Sequence, residues 1–191
     1  MNLQFIDSKT FENETFISPI LPKGEYDNCR FINCNFENSD ISNNVFLECE
    51  FIDCNLSNVN VMHTQFNEVQ FIGCKIVGVQ FQNSNDFLRA FSFKDAILDY
   101  STFIEMKIDK TNFTSCKLIG VDFSNTEAKN VVFNNCDLSN SIFDNTNLES
   151  ANLSTCYNFD INPSKNKLKK AVFTKDNVIG LLKSTGIVIK R

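Results

Sequence analysis

From Tyr26 onward a large apolar residue returns at every fifth position: Phe31, Phe36, Ile41, Phe46, Phe51, Leu56, Val61, Phe66, Phe71, Ile76 and Phe81. A second run with the same spacing starts at Leu88 and continues through Phe93, Leu98, Phe103, Ile108, Phe113, Leu118, Phe123, Ala128, Phe133, Leu138, Phe143, Leu148 and Leu153. No polar residue interrupts either run. A period of five is not the 3.6-residue period of an α-helix, and its persistence identifies a repeat architecture.

Two residues before most large positions stands a small one, among them Cys29, Cys34, Cys49, Cys54 and Cys74 in the first run and Cys116 and Cys136 in the second, with Cys156 at the end. Residues two apart on an extended segment point the same way, so small and large residues both face inward. Two residues after the large position the chain favours Asn or Gly, as at Asn33, Asn38, Asn58, Gly73, Gly78, Asn83, Gly120, Asn125 and Asn140. These residues accept the positive φ of a tight corner. Each unit of five is therefore one short side and one corner. Four such sides make a coil of twenty residues, which accounts for the spacing of Cys34, Cys54 and Cys74 and of Cys116, Cys136 and Cys156. The expected fold is an all-β solenoid, a quadrilateral β-helix. Its core stacks Phe31 on Phe51 and Phe71, Phe103 on Phe123 and Phe143, and cysteine on cysteine. At the usual strand spacing the coils give a rod roughly 31 Å long.

The rhythm divides the chain. Residues 1–25 keep it at Ile6, Phe11, Phe16 and Leu21 but place Lys9, Glu14, Pro19 and Gly24 in the small slots, and they read as an N-terminal cap with degraded repeats. Residues 26–82 form a first block of coils. Around residues 83–87 the spacing lengthens by two, a register slip that a local bulge can absorb. Residues 88–158 form a second block. Residues 159–191 change character: Thr174 can cap a short C-terminal α-helix over about residues 175–184, with Gly186 as its stop and the strand-like Ile187-Val188-Ile189 beyond it. Val178, Leu181, Leu182, Ile187 and Ile189 are the candidate dimer interface, since a terminal element so apolar needs a covering surface.

Little in this pattern supports catalysis. The eight cysteines follow the structural period and never the C-x-x-C spacing of a metal ligand set, so they read as reduced, buried, small apolar residues. His63, the single histidine, falls on an outward corner. Neither G-x-x-x-x-G-K-[ST] nor G-x-G-x-x-G occurs. The expectation is a protein that is no enzyme and uses no cofactor or metal. Met1–Asp7 lacks the basic start and apolar stretch of a secretory signal, and no run of 18 apolar residues exists, so a soluble cytoplasmic protein is expected, away from membranes.

The net charge of −5 hides an asymmetry. Residues 26–158 hold 17 acidic against 8 basic side chains, whereas residues 159–191 hold 2 against 8. Asp27, Glu37, Asp40, Glu48, Glu50, Asp53 and Glu68 make the lower coils acidic and form the candidate partner surface. Such a body repels nucleic acid, so no direct nucleic-acid binding is expected. It can instead imitate a duplex toward a DNA-binding protein.

Units such as Cys34-Asn35-Phe36-Glu37-Asn38, Cys54-Asn55-Leu56-Ser57-Asn58, Cys136-Asp137-Leu138-Ser139-Asn140 and Ala151-Asn152-Leu153-Ser154-Thr155 resemble the A-(D/N)-L-x-x repeat of the pentapeptide-repeat family. The resemblance covers about residues 26–158 and implies a right-handed β-helix. The chain's size, its acidic coils and the segment Leu181–Ile189 are similar to the Qnr quinolone-resistance subgroup. That resemblance implies a DNA-mimicking homodimer, joined through its C-terminus, that binds DNA gyrase and topoisomerase IV and modulates quinolone susceptibility. Qnr proteins project longer loops from their coils, whereas this chain has only the two-residue slip, and its C-terminal region is made basic by Lys165, Lys167, Lys169, Lys170 and Lys175. A structural scaffold with an unrelated protein partner is the alternative.

Overall fold

The computed structural model describes residues 3–17 and 20–188. Eleven short strands line two of the four sides: β1 (Gln4–Asp7), β2 (Thr10–Glu12), β3 (Gly24–Asp27), β4 (Arg30–Ile32), β5 (Val45–Leu47), β6 (Glu50–Ile52), β7 (Gln65–Asn67), β8 (Val69–Ile72), β9 (Phe91–Lys94), β10 (Asn112–Thr114) and β11 (Val132–Asn134). All pair in parallel, as β1-β3-β5-β7 on one side and β2-β4-β6-β8-β9-β10-β11 on the next. The remaining sides are held by isolated parallel bridges such as Asn35↔Asn55, Asp40↔Asn60 and Asp122↔Ile142. Gln4, Thr10 and Thr15 pair in parallel with Gly24, Arg30 and Asn35 of the coil above.

The corners explain the Asn and Gly preference. Asn33, Asn38, Asn58, Asn125 and Asn140 have φ between 51° and 57°, and Gly73, Gly78 and Gly120 lie between 65° and 70°. Asparagines stacked at one corner also bond along the rod, as where Asn58 Nδ2 donates to Asn38 Oδ1 at 3.2 Å. Asn83 is an exception to the corner pattern: it ends a short 3-10 turn over Phe81–Asn83 instead.

Inside, the coil spacing sets the ring spacing. Phe31 stacks on Phe51 at 4.7 Å, Phe51 on Phe71 at 5.2 Å and Phe71 on Phe93 at 5.2 Å, with near-parallel planes. Neighbouring columns meet edge to face, as do Phe103 and Phe113 at 5.9 Å. Each ring thus receives both favourable aromatic geometries. Phe103 likewise stacks on Phe123 at 5.3 Å, and Phe123 on Phe143 at 5.1 Å.

All eight cysteines are free and buried. Size is only half of the reason for their placement. Cys54 Sγ donates to the carbonyl of Phe31 at 3.2 Å, Cys74 to that of Phe51 at 3.2 Å and Cys156 to that of Phe133 at 3.1 Å, each a partner 23 residues earlier. Thr64, Thr126 and Thr146 make the same bond with hydroxyls, to Ile41, Phe103 and Phe123. The slot therefore selects a small donor that satisfies a buried carbonyl of the coil below, which is why Cys, Thr and Ser share it.

Two expectations need correction. Leu88 does not face inward: it is 60% exposed and adopts a corner conformation with φ 50°. Its place is taken from neighbouring slots by two oversized residues, Phe91 (7% exposed) and Met106 (3%). The C-terminal segment also forms no α-helix. Val178–Leu181 and Lys183–Thr185 are 3-10 turns, and Ile187 and Val188 are not in a strand, while Ile189 lies outside the described residues. Gly186 does stop the segment, with φ 71°.

Candidate functional site

The seven acidic residues of the lower coils do not share a face. Asp27 on β3, Glu50 on β6, and Glu48 and Glu68 at the corner beside them gather around one edge of the rod. A shallow groove of about 310 Å³ runs there between Asn28, Arg30, Glu48, Glu50, Glu68 and Gln70. Asp53 stands at the next corner, and Glu37 and Asp40 occupy the other two sides. Two of the seven are paired: Arg30 Nε meets Glu50 Oε2 at 2.9 Å, and Lys23 Nζ meets Asp40 Oδ1 at 3.4 Å. Partial burial acts to raise the Asp40 carboxyl, but bonds from Ser42, whose N–H lies 2.8 Å from Oδ1, and from Lys23 hold it below its usual range.

The C-terminal end carries the opposite sign. Lys165, Lys167, Lys169 and Lys170 are exposed on the last turn, with Lys165 paired to Asp144 at 3.4 Å. Beyond them the chain folds over the open coil. Asn177 Nδ2 donates to the carbonyls of Leu153 at 2.7 Å and Cys156 at 3.1 Å, and Lys183 Nζ to that of Phe159 at 2.8 Å. Gly180 sits against the Phe159 ring, where a Cβ would come within 2.3 Å of a ring carbon. Of the candidate dimer residues, Leu181 packs against the core and Leu182 is half-buried, while Val178 and Ile187 are exposed beside Ile179 and Val188. Asn177 carries no sequence signal of this role, since its partners are main-chain carbonyls more than twenty residues away.

The slip opens a notch. Up to β8 each coil pairs with the next at an interval of twenty residues, but across the slip the interval is twenty-two, as Phe71↔Phe93, Lys75↔Ile97 and Gln80↔Thr102, and above it twenty returns, as Phe93↔Phe113. The extra chain lies on the β7 side. Ser84 donates to the carbonyl of Phe81 at 2.6 Å, Asn85 N–H to that of Thr64 at 2.9 Å and Ala90 N–H to that of Phe66 at 3.0 Å. Between this bulge and the coil above is a cleft of about 620 Å³, lined by His63, Gln82, Ser84, Asn85, Asp86, Arg89, Ile104, Glu105 and Met106. His63 is thus exposed at its corner, as an outward position requires, but it also forms a wall of the cleft. Phe87 and Leu88 stand exposed on the bulge.

The thiols are held away from reactivity. Burial pushes Cys49 and Cys156 up to about 12 and Cys29 and Cys34 also upward, while Cys54 and Cys116 are raised by their hydrogen bonds with Cys74 and Cys136 and, after that, by burial. Among the described residues no group of three His, Cys, Asp or Glu side chains is placed to hold a metal ion, and no helix is long and apolar enough to cross a membrane.

Comparison with known proteins places this geometry. Residues 25–103 and 85–153 match the family described as pentapeptide repeat region. Two solved structures of QnrB1, a plasmid-mediated fluoroquinolone resistance protein, superpose along the whole molecule; both are trypsin-treated forms of single-substitution variants. One gives a TM-score of 0.62 at 15% identity and covers 98% of both chains. The other gives 0.63 at 16% identity and covers 100% of both. No curated protein sequence matches the chain.

Proposed function

The chain belongs to the pentapeptide-repeat family, and on that premise we propose that it is a non-catalytic cytoplasmic binding protein that occupies the DNA-binding surface of a type II topoisomerase. The observation that carries this reading is the likeness to QnrB1 over 98–100% of both chains, caps included. The acidic edge formed by Asp27, Glu48, Glu50 and Glu68 supports it, because carboxylates repeated along a rod present a cationic DNA-binding groove with charges of the sign it is built to receive. Two copies joined through Val178, Ile179, Ile187 and Val188 double that surface, and the exposure of these four side chains on a tail that otherwise seals the coil supports the pairing. In a gyrase supercoiling assay with ciprofloxacin, the protein is expected either to restore supercoiling or, without drug, to inhibit it. Absence of protection, of inhibition and of binding to gyrase and topoisomerase IV removes the reading.

The placement of Glu37, Asp40 and Asp53 away from that edge favours a second reading, a scaffold for an unrelated protein. It predicts that the protein leaves supercoiling assays unchanged and that reversing Glu37, Asp40 and Asp53, rather than Glu48, Glu50 and Glu68, abolishes binding to its own partner.

A further inference from the structure

At the notch the regularity of the rod gives way and different polar side chains converge. Arg89 lies in it, half-buried, with its Nε shielded from solvent and without a hydrogen-bond partner. Among the described residues no carboxylate comes within 4 Å of its guanidinium, although Asp86 and Glu105 line the same cleft. A buried N–H left unpaired is costly, and a guanidinium offers a planar fork that a carboxylate fits with two parallel bonds. Burial draws Arg89 below its usual value, with Asp86 offsetting only part of the effect, so its charge is incompletely compensated.

We propose that this notch is a binding site for a carboxylate that carries N–H donors beside it, the chemistry shared by a free acidic amino acid and an acidic side chain on a peptide segment. Arg89 takes the carboxylate, and Gln82 and His63 line the same cleft. Asp86 and Glu105 then face the ammonium or amide N–H groups that accompany it. These two acids exclude a bare polyanion such as phosphate, because they meet it with like charge. Ile104 and Met106 supply the apolar floor. The site does not depend on the topoisomerase reading, since none of its residues belongs to the acidic edge.

The chain has three arginines, Arg30, Arg89 and Arg191, so the Arg89 Nε–H resonance is identified by comparing the 15N-labelled protein with Arg89→Lys. Full-length protein is titrated with sodium glutamate, with a blocked tripeptide containing glutamate, and with the same tripeptide containing glutamine. The expected result is a saturable shift of the Arg89 signal at roughly millimolar concentration with a glutamate ligand, at least about ten-fold weaker for glutamine. Saturation by the free amino acid alone assigns a small-molecule ligand, and saturation by the peptide alone assigns a partner's acidic side chain. No saturable shift with either glutamate form overturns the proposal, and so does equal binding of the glutamine peptide. Both readouts come from the unsubstituted protein, and where Arg89→Lys fails to fold, Arg30→Lys and Arg191→Lys identify the other two resonances and leave that of Arg89 by elimination.

Discussion

The circuit from Phe46 to Phe66 closes in twenty residues, whereas the circuit above it runs two residues longer and leaves Leu88 outside. The lower circuit fills its core by position: every fifth side chain enters because the corners aim it there. The longer circuit fills the same space by volume. Phe91 enters from a slot that holds Val69 one coil below, and its ring lies 5.3 Å from Phe93, 5.6 Å from Phe81 and 6.5 Å from Phe66. Met106 enters from a slot filled in most other units by Cys, Thr, Ser, Val or Ala, and methionine suits an irregular gap. A solenoid therefore tolerates an insertion when neighbouring slots supply the volume that the displaced residue withdraws.

The largest effect expected is at the regular columns. Phe71 is 1% exposed and lies between the Phe51 and Phe93 rings at 5.2 Å each, so Phe71→Ala should cost about 3–5 kcal/mol in urea unfolding. A midpoint equal to that of the unsubstituted protein would contradict filling by position. Met106→Ala tests filling by volume. It should cost about 2–5 kcal/mol, against a much smaller loss for Cys116→Ala, which deletes one sulfur from an ordinary slot. Equal losses at the two positions would show that Met106 compensates for nothing.

How much of this was legible in the sequence follows from what each feature depends on. The five-residue period at Phe31, Phe51 and Phe71 is a local rule repeated many times, so the coil and its corners could be read directly. The fate of Leu88 could not be read from its own spacing. It was decided by Phe91 and Met106, whose size in small slots was the available signal. The donor role of the cysteines was hidden because a thiol looks apolar until its carbonyl partner, 23 residues away, is in place. The α-helix expected near residues 175–184 gave way to 3-10 turns because Asn177 and Gly180 are bound to the last coil, through the Leu153 carbonyl and the Phe159 ring. Arg89 was invisible as a site residue, since convergence in the notch exists only once the slip has opened it.

Alkali should separate the two kinds of circuit. The regular coils hold Cys49 and Cys156, whose thiols are pushed up to about 12 by burial, whereas the four slots directly above the slip hold Phe91, Ala96, Ser101 and Met106 and no thiol. A thiol raised in the folded state stays protonated after the unfolded chain has begun to ionise near its ordinary value of about 9. Its contribution is present in full below that value and is lost as pH climbs toward the folded value, at up to about 1.4 kcal/mol per pH unit for each thiol. Urea midpoints should therefore fall between about pH 9 and about pH 12, and Cys49→Val should flatten the decline. A flat profile in the unsubstituted protein would mean that the native thiols ionise freely.

The smallest effect sharpens the comparison most. Under filling by position, Leu88→Ala would resemble any other core truncation at about 2–5 kcal/mol. Because Leu88 stands in solvent, the expected change in unfolding free energy is within about 0.5 kcal/mol. Its φ of 50° is a conformation that leucine occupies at a cost and asparagine tolerates, so Leu88→Asn should be neutral or slightly stabilising. A loss of the core-truncation size in either variant would place Leu88 back in the fifth-residue column and return the longer circuit to the rule of the shorter one.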